Sequence, residues 1–351
     1  NKGDEISVDS GKSFIGTNNA IHINYKQFPK DVKKGDQVLI DDGKYAFEVV
    51  RTNNKNKTTL KALNKACLKS RKGVNLPQTK ISTPSLTKKD ITDVKFAISL
   101  EVDWIALSFV RHGKDLIELK KIIDRFSDAK LSKAKIPIIA KIEKPEALDN
   151  IESIIKNADG IMVARGDLGI EIPSQEVPLI QKKLVHLSKK ARIPVIIATQ
   201  MMESMIENLQ PTRAEVNDVA NSVMDGADAV MLSAETSIGK HPSAVVSQIA
   251  KIINSVEYSD QIVVPAEPPT IKTDRYITKF ICFHAAKTAN EIDASSITTM
   301  TNSGYTGFQL SSWRPHCNIL VFTSNKRILC RLSLLWGVKS FYYNKQVSTD
   351  K

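Results

Sequence analysis

Lys141, Glu143 and Asp167 are the residues of this chain whose types and spacing could do chemistry together. The first two lie in PIIAKIE (137–143), an apolar run that predicts a buried parallel strand. Side chains alternate along a strand, so Lys141 and Glu143 point to one face. Asp167 closes the run GIMVARGD (160–167), which predicts a second strand about one βα unit later. If the two strands are parallel neighbours, all three groups converge at one sheet end. Two carboxylates with no His or Cys suit a hard cation such as Mg²⁺, and a lysine beside them suits a phosphate. The plain alternative is two surface ion pairs at strand ends, and the flanking motifs weigh against it.

The flanking residues extend the site. ARGDLG (164–169) puts glycine at a strand-to-helix turn, where backbone N–H groups bind carboxylate or phosphate and Gly166 permits close approach. Thr199 ends the run PVIIATQ (194–200); its hydroxyl suits a substrate carboxylate or a proton-donating water, with helix capping as the alternative. For Glu235 the structural reading is favoured. Met201, Met202 and Met205 read as packing, and no histidine is assigned to catalysis.

The elements that must position these groups change character along the chain. Residues 1–80 read as all-β: short alternating runs separated by turns such as Gly35-Asp36 and Asp41-Asp42-Gly43, whose residues tolerate the positive φ that tight hairpins need. GKS (11–13) resembles the end of a P-loop, but the earlier glycine is replaced by Ile6, which rejects it. From about residue 85 an amphipathic helix (Ile91, Val94, Ala97, Ile98) opens a series of apolar runs at 104–110, 137–142, 160–164, 194–198 and 229–232, each followed by a helical stretch. Polar residues gather at their C-terminal ends: Ser108, Lys141 with Glu143, Asp167, Thr199, Ser233. Apolar strands with chemistry at one end predict part of a TIM barrel: five strands, not eight. A Pro-rich linker (258–270) leads to a third, α/β unit with helices at 276–290 and 326–335 and strands at 296–300 and 318–323. The predicted fold class is thus α/β: a β-rich unit at 1–80, a partial barrel at 81–257, the linker, and a partial α/β unit at 271–351.

Composition sets limits. With 351 residues, 42% hydrophobic and 25% charged, the chain reads as an ordinary multidomain globular protein, and no apolar run reaches the ~18 residues of a membrane span. Cys67, Cys282, Cys317 and Cys330 are scattered, which predicts free thiols in a reducing compartment rather than a disulfide framework or zinc site. The net charge of +12 reflects residues 49–89, which carry many Lys and Arg and no Asp or Glu. Without interleaved aromatics or a nucleic-acid motif, that stretch reads as a solvated basic face or a surface for phosphorylated metabolites.

AKIE (140–143), GIMVARGDLGIEIP (160–173), ATQMMESM (198–205), PTRAE (211–215), DGADAVMLSAET (225–236) and RKGVNLP (71–77) together closely resemble pyruvate kinase. The resemblance runs from end to end. It implies that residues up to about 80 are the lid inserted in the barrel, that 81–257 are barrel strands four to eight, and that the rest begins the C-terminal effector domain. The first three barrel strands and the end of the C-terminal domain would lie outside this chain, together with the ligands for K⁺. The resemblance further implies that Lys141 stabilises the phosphoryl group in flight and that Glu143 and Asp167 bind Mg²⁺ or Mn²⁺. The backbone of Gly166 and Asp167, with Thr199, would hold the phosphoenolpyruvate carboxylate. Lys72 and Asp42 would meet ADP/ATP as the lid closes. TNSGYT (301–306) resembles the family's effector loop, implying a sugar-phosphate site at Thr301, Ser303 and Thr306. A homotetramer, a cytoplasmic location, and neither nucleic-acid nor membrane partners complete the expectation.

Two rival readings remain at this stage. One is a metal-dependent pyruvate-enolate lyase or aldolase sharing the acid pair, against which the lid and Lys72 argue. The other is a non-enzymatic scaffold with a basic surface. Residues 1–351 alone are expected to be inactive, because a five-stranded barrel leaves open edges and lacks half the phosphate site.

Overall fold

The computed structural model describes residues 1–77, 79–127, 136–259, 261–262, 264, 267–270 and 274–345. Three sheets organise them, and each forms where the sequence alternates or runs apolar.

The first sheet has six strands in the order β2-β1-β5-β4-β3-β6. They are β1 (Glu5–Asp9), β2 (Ala20–His22), β3 (Gln37–Ile40), β4 (Tyr45–Thr52), β5 (Lys57–Ala62) and β6 (Val74–Asn75). Only β1 and β2 pair in parallel; the other pairings are antiparallel. Its core is built from Val8, Phe28, Val38, Phe47, Val49 and Leu60. The β3–β4 hairpin turns through Asp41 (φ 58°), Asp42 (φ 55°) and Gly43 (φ 83°), the left-handed run its sequence predicts. A helical turn, Phe28–Asp31, interrupts the expected all-β region; its buried Phe28 and Pro29 anchor it to the sheet.

The second sheet holds five parallel strands in the order β11-β10-β9-β8-β7. These are β7 (Ile105–Leu107), β8 (Ile138–Ile142), β9 (Gly160–Ala164), β10 (Val195–Ala198) and β11 (Ala229–Met231). Consecutive strands are neighbours, with helices between them, as in a (β/α) barrel. Alternation sorts each strand between two faces. Ile138, Ala140 and Ile142 join the core beneath the helices, whereas Ile139 joins the inner cluster with Met162, Ile196 and Ala198. Lys141 and Glu143 therefore follow Ile139 on the inner face. Helix Gly113–Phe126 buries Leu116, Leu119 and Ile123 on one stripe, each contributing about 1.5–3 kcal/mol. Helix Lys88–Ser99 begins at a Thr87/Asp90 capping box.

The third sheet is parallel, β12-β13-β14: β12 (Ser296–Met300), β13 (Asn318–Thr323) and β14 (Val338–Tyr342). It is fixed to the N-terminal end of the barrel strands by a sealed charge cluster. Arg314 donates to Asp228 Oδ1 (2.9 Å) and to the Gly226 carbonyl (2.7 Å), Lys189 binds Asp228 Oδ2, and the Val195 N–H donates to the same oxygen (2.8 Å).

Several expected boundaries shift. The run at 104–110 yields strand only over Ile105–Leu107, because Phe109 turns left-handed (φ 53°). The helix expected at 326–335 stops at Leu332. Strands β5, β6 and β14 are additions. The expected linker follows helix Pro242–Glu257; residues 260, 263 and 265–266 of it lie outside the described residues.

Candidate active site

Strand register brings the predicted groups to one rim. In β8 and β9, Lys141 pairs with Met162 and Ile142 with Val163. In β9 and β10, Ala164 pairs with Ala198, so Arg165-Gly166 and Thr199 emerge side by side. Lys141 Nζ lies 2.6 Å from Glu143 Oε1 and donates to Ser108 Oγ at the end of β7 (3.2 Å). The Phe109 N–H donates to Glu143 Oε2 (2.6 Å), and the left-handed Phe109 backbone aims it there. Glu143 is thus sealed, with 1% of its side chain exposed, while Lys141 keeps 24%.

Asp167, one turn into helix Arg165–Glu171, completes the group. Burial pushes its carboxyl above the ordinary range, the neighbouring Glu143 charge adds to this, and Lys141 only partly offsets it; Asp42 and Glu171 push in the same direction as Glu143. The rim therefore gathers more acid than its lysine balances. Among the described residues no group of three or more His, Cys, Asp or Glu is arranged to hold a metal ion. Two carboxylates beside an anion site nonetheless fit Mg²⁺, which keeps several waters and takes one or two carboxylates plus substrate oxygens. That fit rests on the donor chemistry and on the surplus negative charge at Asp167.

The Gly166 N–H, expected to be open to an anion, donates here to Thr199 Oγ1 (2.7 Å), and that hydroxyl donates to the Ala198 carbonyl (2.6 Å). A Cβ on Gly166 would stand 3.2 Å from Thr199 Oγ1, a tight contact that would make the hydroxyl give by a few tenths of an ångström. Thr199 (φ 70°) and Gln200 (φ 55°) are both left-handed, a strained state for a β-branched residue. Arg165 holds them: its Nη2 donates to the Thr199 carbonyl (2.7 Å) and its Nη1 meets Asp218 (2.7 Å). Arg165 lies inside a quoted motif, but nothing in its spacing revealed this clamp.

The β-rich unit covers the rim. A Cβ on Gly43 would lie 3.7 Å from Ile170, and Asn75 Nδ2 donates to Glu171 Oε1 (3.3 Å). Lys72 pairs with Asp41 (2.6 Å), whose carboxyl it holds below the ordinary range; Asp42, expected with Lys72 on the nucleotide side, acts electrostatically on both Lys72 and Asp167. Two adjacent aspartates gave the sequence no means to separate those roles. A cavity of ≈ 2310 Å³ opens between this unit and the β7 side of the barrel, with Lys72, Asn75, Ser108, Phe109, Lys144 and Glu171 among its walls. Lys141, Asp167 and Thr199 are not among its wall residues, so the cavity abuts the chemical rim without coinciding with it.

The remaining candidates divide. Glu235 accepts from the Ser233 (2.7 Å) and Met202 (3.2 Å) N–H groups, a local structural role, and Met201, Met202 and Met205 are core. Thr301 Oγ1 accepts from the Gly304 N–H (3.0 Å) and Ser303 Oγ from the Tyr305 N–H (3.5 Å), ahead of helix Tyr305–Ser312, which contains Thr306. The four cysteines are free, and no helix of the described residues is long and apolar enough to cross a membrane.

A barrel with its charged residues gathered at the C-terminal rim, covered by a β-rich unit and carrying an α/β appendage, is an enzyme architecture. Residues 1–246 match the family described as pyruvate kinase, barrel domain, and residues 279–351 the pyruvate kinase alpha/beta domain. A pyruvate kinase of Mycobacterium tuberculosis is 40% identical over 349 residues, covering 99% of this chain and 71% of that protein. One of Corynebacterium glutamicum is 41% identical over 345 residues, covering 98% and 70%. The solved structure of a pyruvate kinase from Cryptosporidium parvum superposes with a TM-score of 0.88 at 36% identity, covering 98% of this chain and 70% of that one. The chain belongs to the pyruvate kinase family. The family's enzymes are phosphotransferases of glycolysis that use phosphoenolpyruvate and ADP and need a divalent metal.

Proposed function

We propose that the rim is where phosphoenolpyruvate gives its phosphoryl group to ADP, yielding pyruvate and ATP, and that Lys141, Glu143 and Asp167 carry the step. The observation that supports this reading most is the convergence of one ammonium and two carboxylates at the C-terminal end of adjacent parallel strands, with the second acid, in the helix that follows β9, under-compensated. Glu143 and Asp167 would hold Mg²⁺ or Mn²⁺, which when bound neutralises charge on the phosphate oxygens. Lys141 stabilises the phosphoryl group during in-line transfer, where positioning and charge neutralisation do most of the catalysis. The backbone of Gly166 and Asp167 and the Thr199 hydroxyl hold the carboxylate, with Gly166 exchanging its present partner for the substrate. Thr199 also orders the proton delivered to the enolpyruvate. Lys72 and Asp42 face the nucleotide, and the lid over the rim excludes water and with it hydrolysis.

The same reading assigns residues 1–80 to the lid, 81–257 to the barrel, 258–270 to a linker and 271–351 to the effector unit. It includes a sugar phosphate at Thr301, Ser303 and Thr306, a homotetramer in the cytoplasm, and K⁺, for which no ligand is assigned within residues 1–351. Coupled pyruvate formation by the protein as its gene encodes it tests the reading. Turnover that requires ADP and Mg²⁺ supports it; retro-aldol cleavage without nucleotide would replace it with a lyase.

A further inference from the structure

Lys144 and Glu171 form a buried ion pair that the phosphoryl-transfer reading does not use; their side chains are 10% and 1% exposed. Each adjoins one of the rim carboxylates. Lys144 follows Glu143 directly, and Glu171 lies one helical turn after Asp167. The other oxygen of Glu171, Oε2, is buried without a hydrogen-bond partner. From across the cavity, Asn75 on lid strand β6 donates to Glu171 Oε1. Asn75 is itself tied into the lid sheet, paired with Leu39 of β3, and stands three residues after Lys72.

We infer that Asn75, Glu171 and Lys144 form the latch that docks the lid on the barrel, with Asn75 a positioning residue for the nucleotide-side lysine. A hydrogen bond to a charged acceptor is stronger than one between neutral groups, and a low-dielectric cleft strengthens it further. Lys144 keeps Glu171 in place as that acceptor when the lid lifts. Because both barrel partners are continuous with the rim acids, a shift of either acid reaches the lid through one peptide bond or one helical turn. The latch rests on the proposed site only for its catalytic consequence; the docking itself does not depend on it.

Native-state trypsin cleavage after Arg71 and Lys72, read by mass spectrometry without substrates, measures how firmly this segment is docked. Asn75→Ala is expected to speed that cleavage about tenfold. In a Glu171→Ala background the same change should add little, because the partner is already gone. In the active protein Asn75→Ala should raise KM for ADP more than it lowers kcat and should leave Mn²⁺ affinity unchanged. Cleavage of Asn75→Ala at the parent rate, or an equal effect of Asn75→Ala in both backgrounds, would overturn the latch. The cleavage readout needs no turnover, so it fails or succeeds separately from the assignment of the rim.

Discussion

Two charge clusters sit at opposite ends of the same parallel sheet, and their contrast separates a site from a brace. At the N-terminal end, Lys189 and Arg314 surround Asp228; their side chains are 1%, 3% and 2% exposed, and the carboxylate is fully hydrogen-bonded to its two cations and to the Val195 N–H. At the C-terminal rim Lys141 faces Glu143 and Asp167, with Asp42 acting on Asp167 from further off and Glu171 already paired to Lys144, and Lys141 still reaches solvent. The first cluster has more cation than acid and no access, which suits joining two units. The second has more acid than cation and an opening, which suits an arriving cation and phosphate. Residue types alone do not separate the two clusters; charge balance and access do.

The largest effect that would sharpen this contrast is expected at Asp228. Asp228→Asn leaves two buried cations uncompensated and should lower stability by about 3–5 kcal/mol, measured by urea unfolding. Catalysis per folded molecule should change far less. At the rim the pattern inverts. Lys141→Met should reduce kcat by about a hundredfold to a thousandfold, while the unfolding midpoint falls less than in Asp228→Asn, because the pair it breaks with Glu143 has one solvent-reaching partner. An unchanged kcat would remove Lys141 from the mechanism, and a collapse of stability would make the rim a brace as well.

A smaller effect concerns pH. Burial, and then the charge of Arg314, push the Lys189 ammonium down to about 7. Below that pH the folded protein must hold a charged, buried lysine that the unfolded chain keeps in water. Above it the folded form sheds the proton while the unfolded lysine stays charged to near its ordinary value of 10.5. Stability from this group therefore rises between pH 7 and pH 10. Lys189→Met should remove that rise in unfolding experiments, and an identical slope in parent and variant would show that Lys189 does not titrate there.

Much of the rim was legible because strand periodicity is local. Lys141 and Glu143 share a face by a spacing of two, β9 spans the predicted residues 160–164, and the Asp41-Asp42-Gly43 turn has the left-handed backbone its residues favour. Short or weakly apolar strands were not legible. β6 has two residues, and β5 alternates through Thr58, Leu60 and Ala62, a weak hydrophobic signal. Partnerships between charges distant in the chain were also invisible: Lys189 with Asp228, Lys144 with Glu171, Arg165 with the Thr199 carbonyl. Nothing in residue type forecasts which of many lysines and arginines a fold will bury. The choice of Asp41 over Asp42 for Lys72 is set by hairpin geometry that two identical neighbours cannot reveal.

The central claim is that Glu143 and Asp167 jointly hold one divalent ion beside Lys141. Titration of Mn²⁺ followed by electron paramagnetic resonance tests it on the protein directly. Glu143→Gln and Asp167→Asn should each weaken binding by about tenfold or more, and Lys141→Met should not weaken it. Mn²⁺ bound with parent affinity by either acid variant would contradict the account.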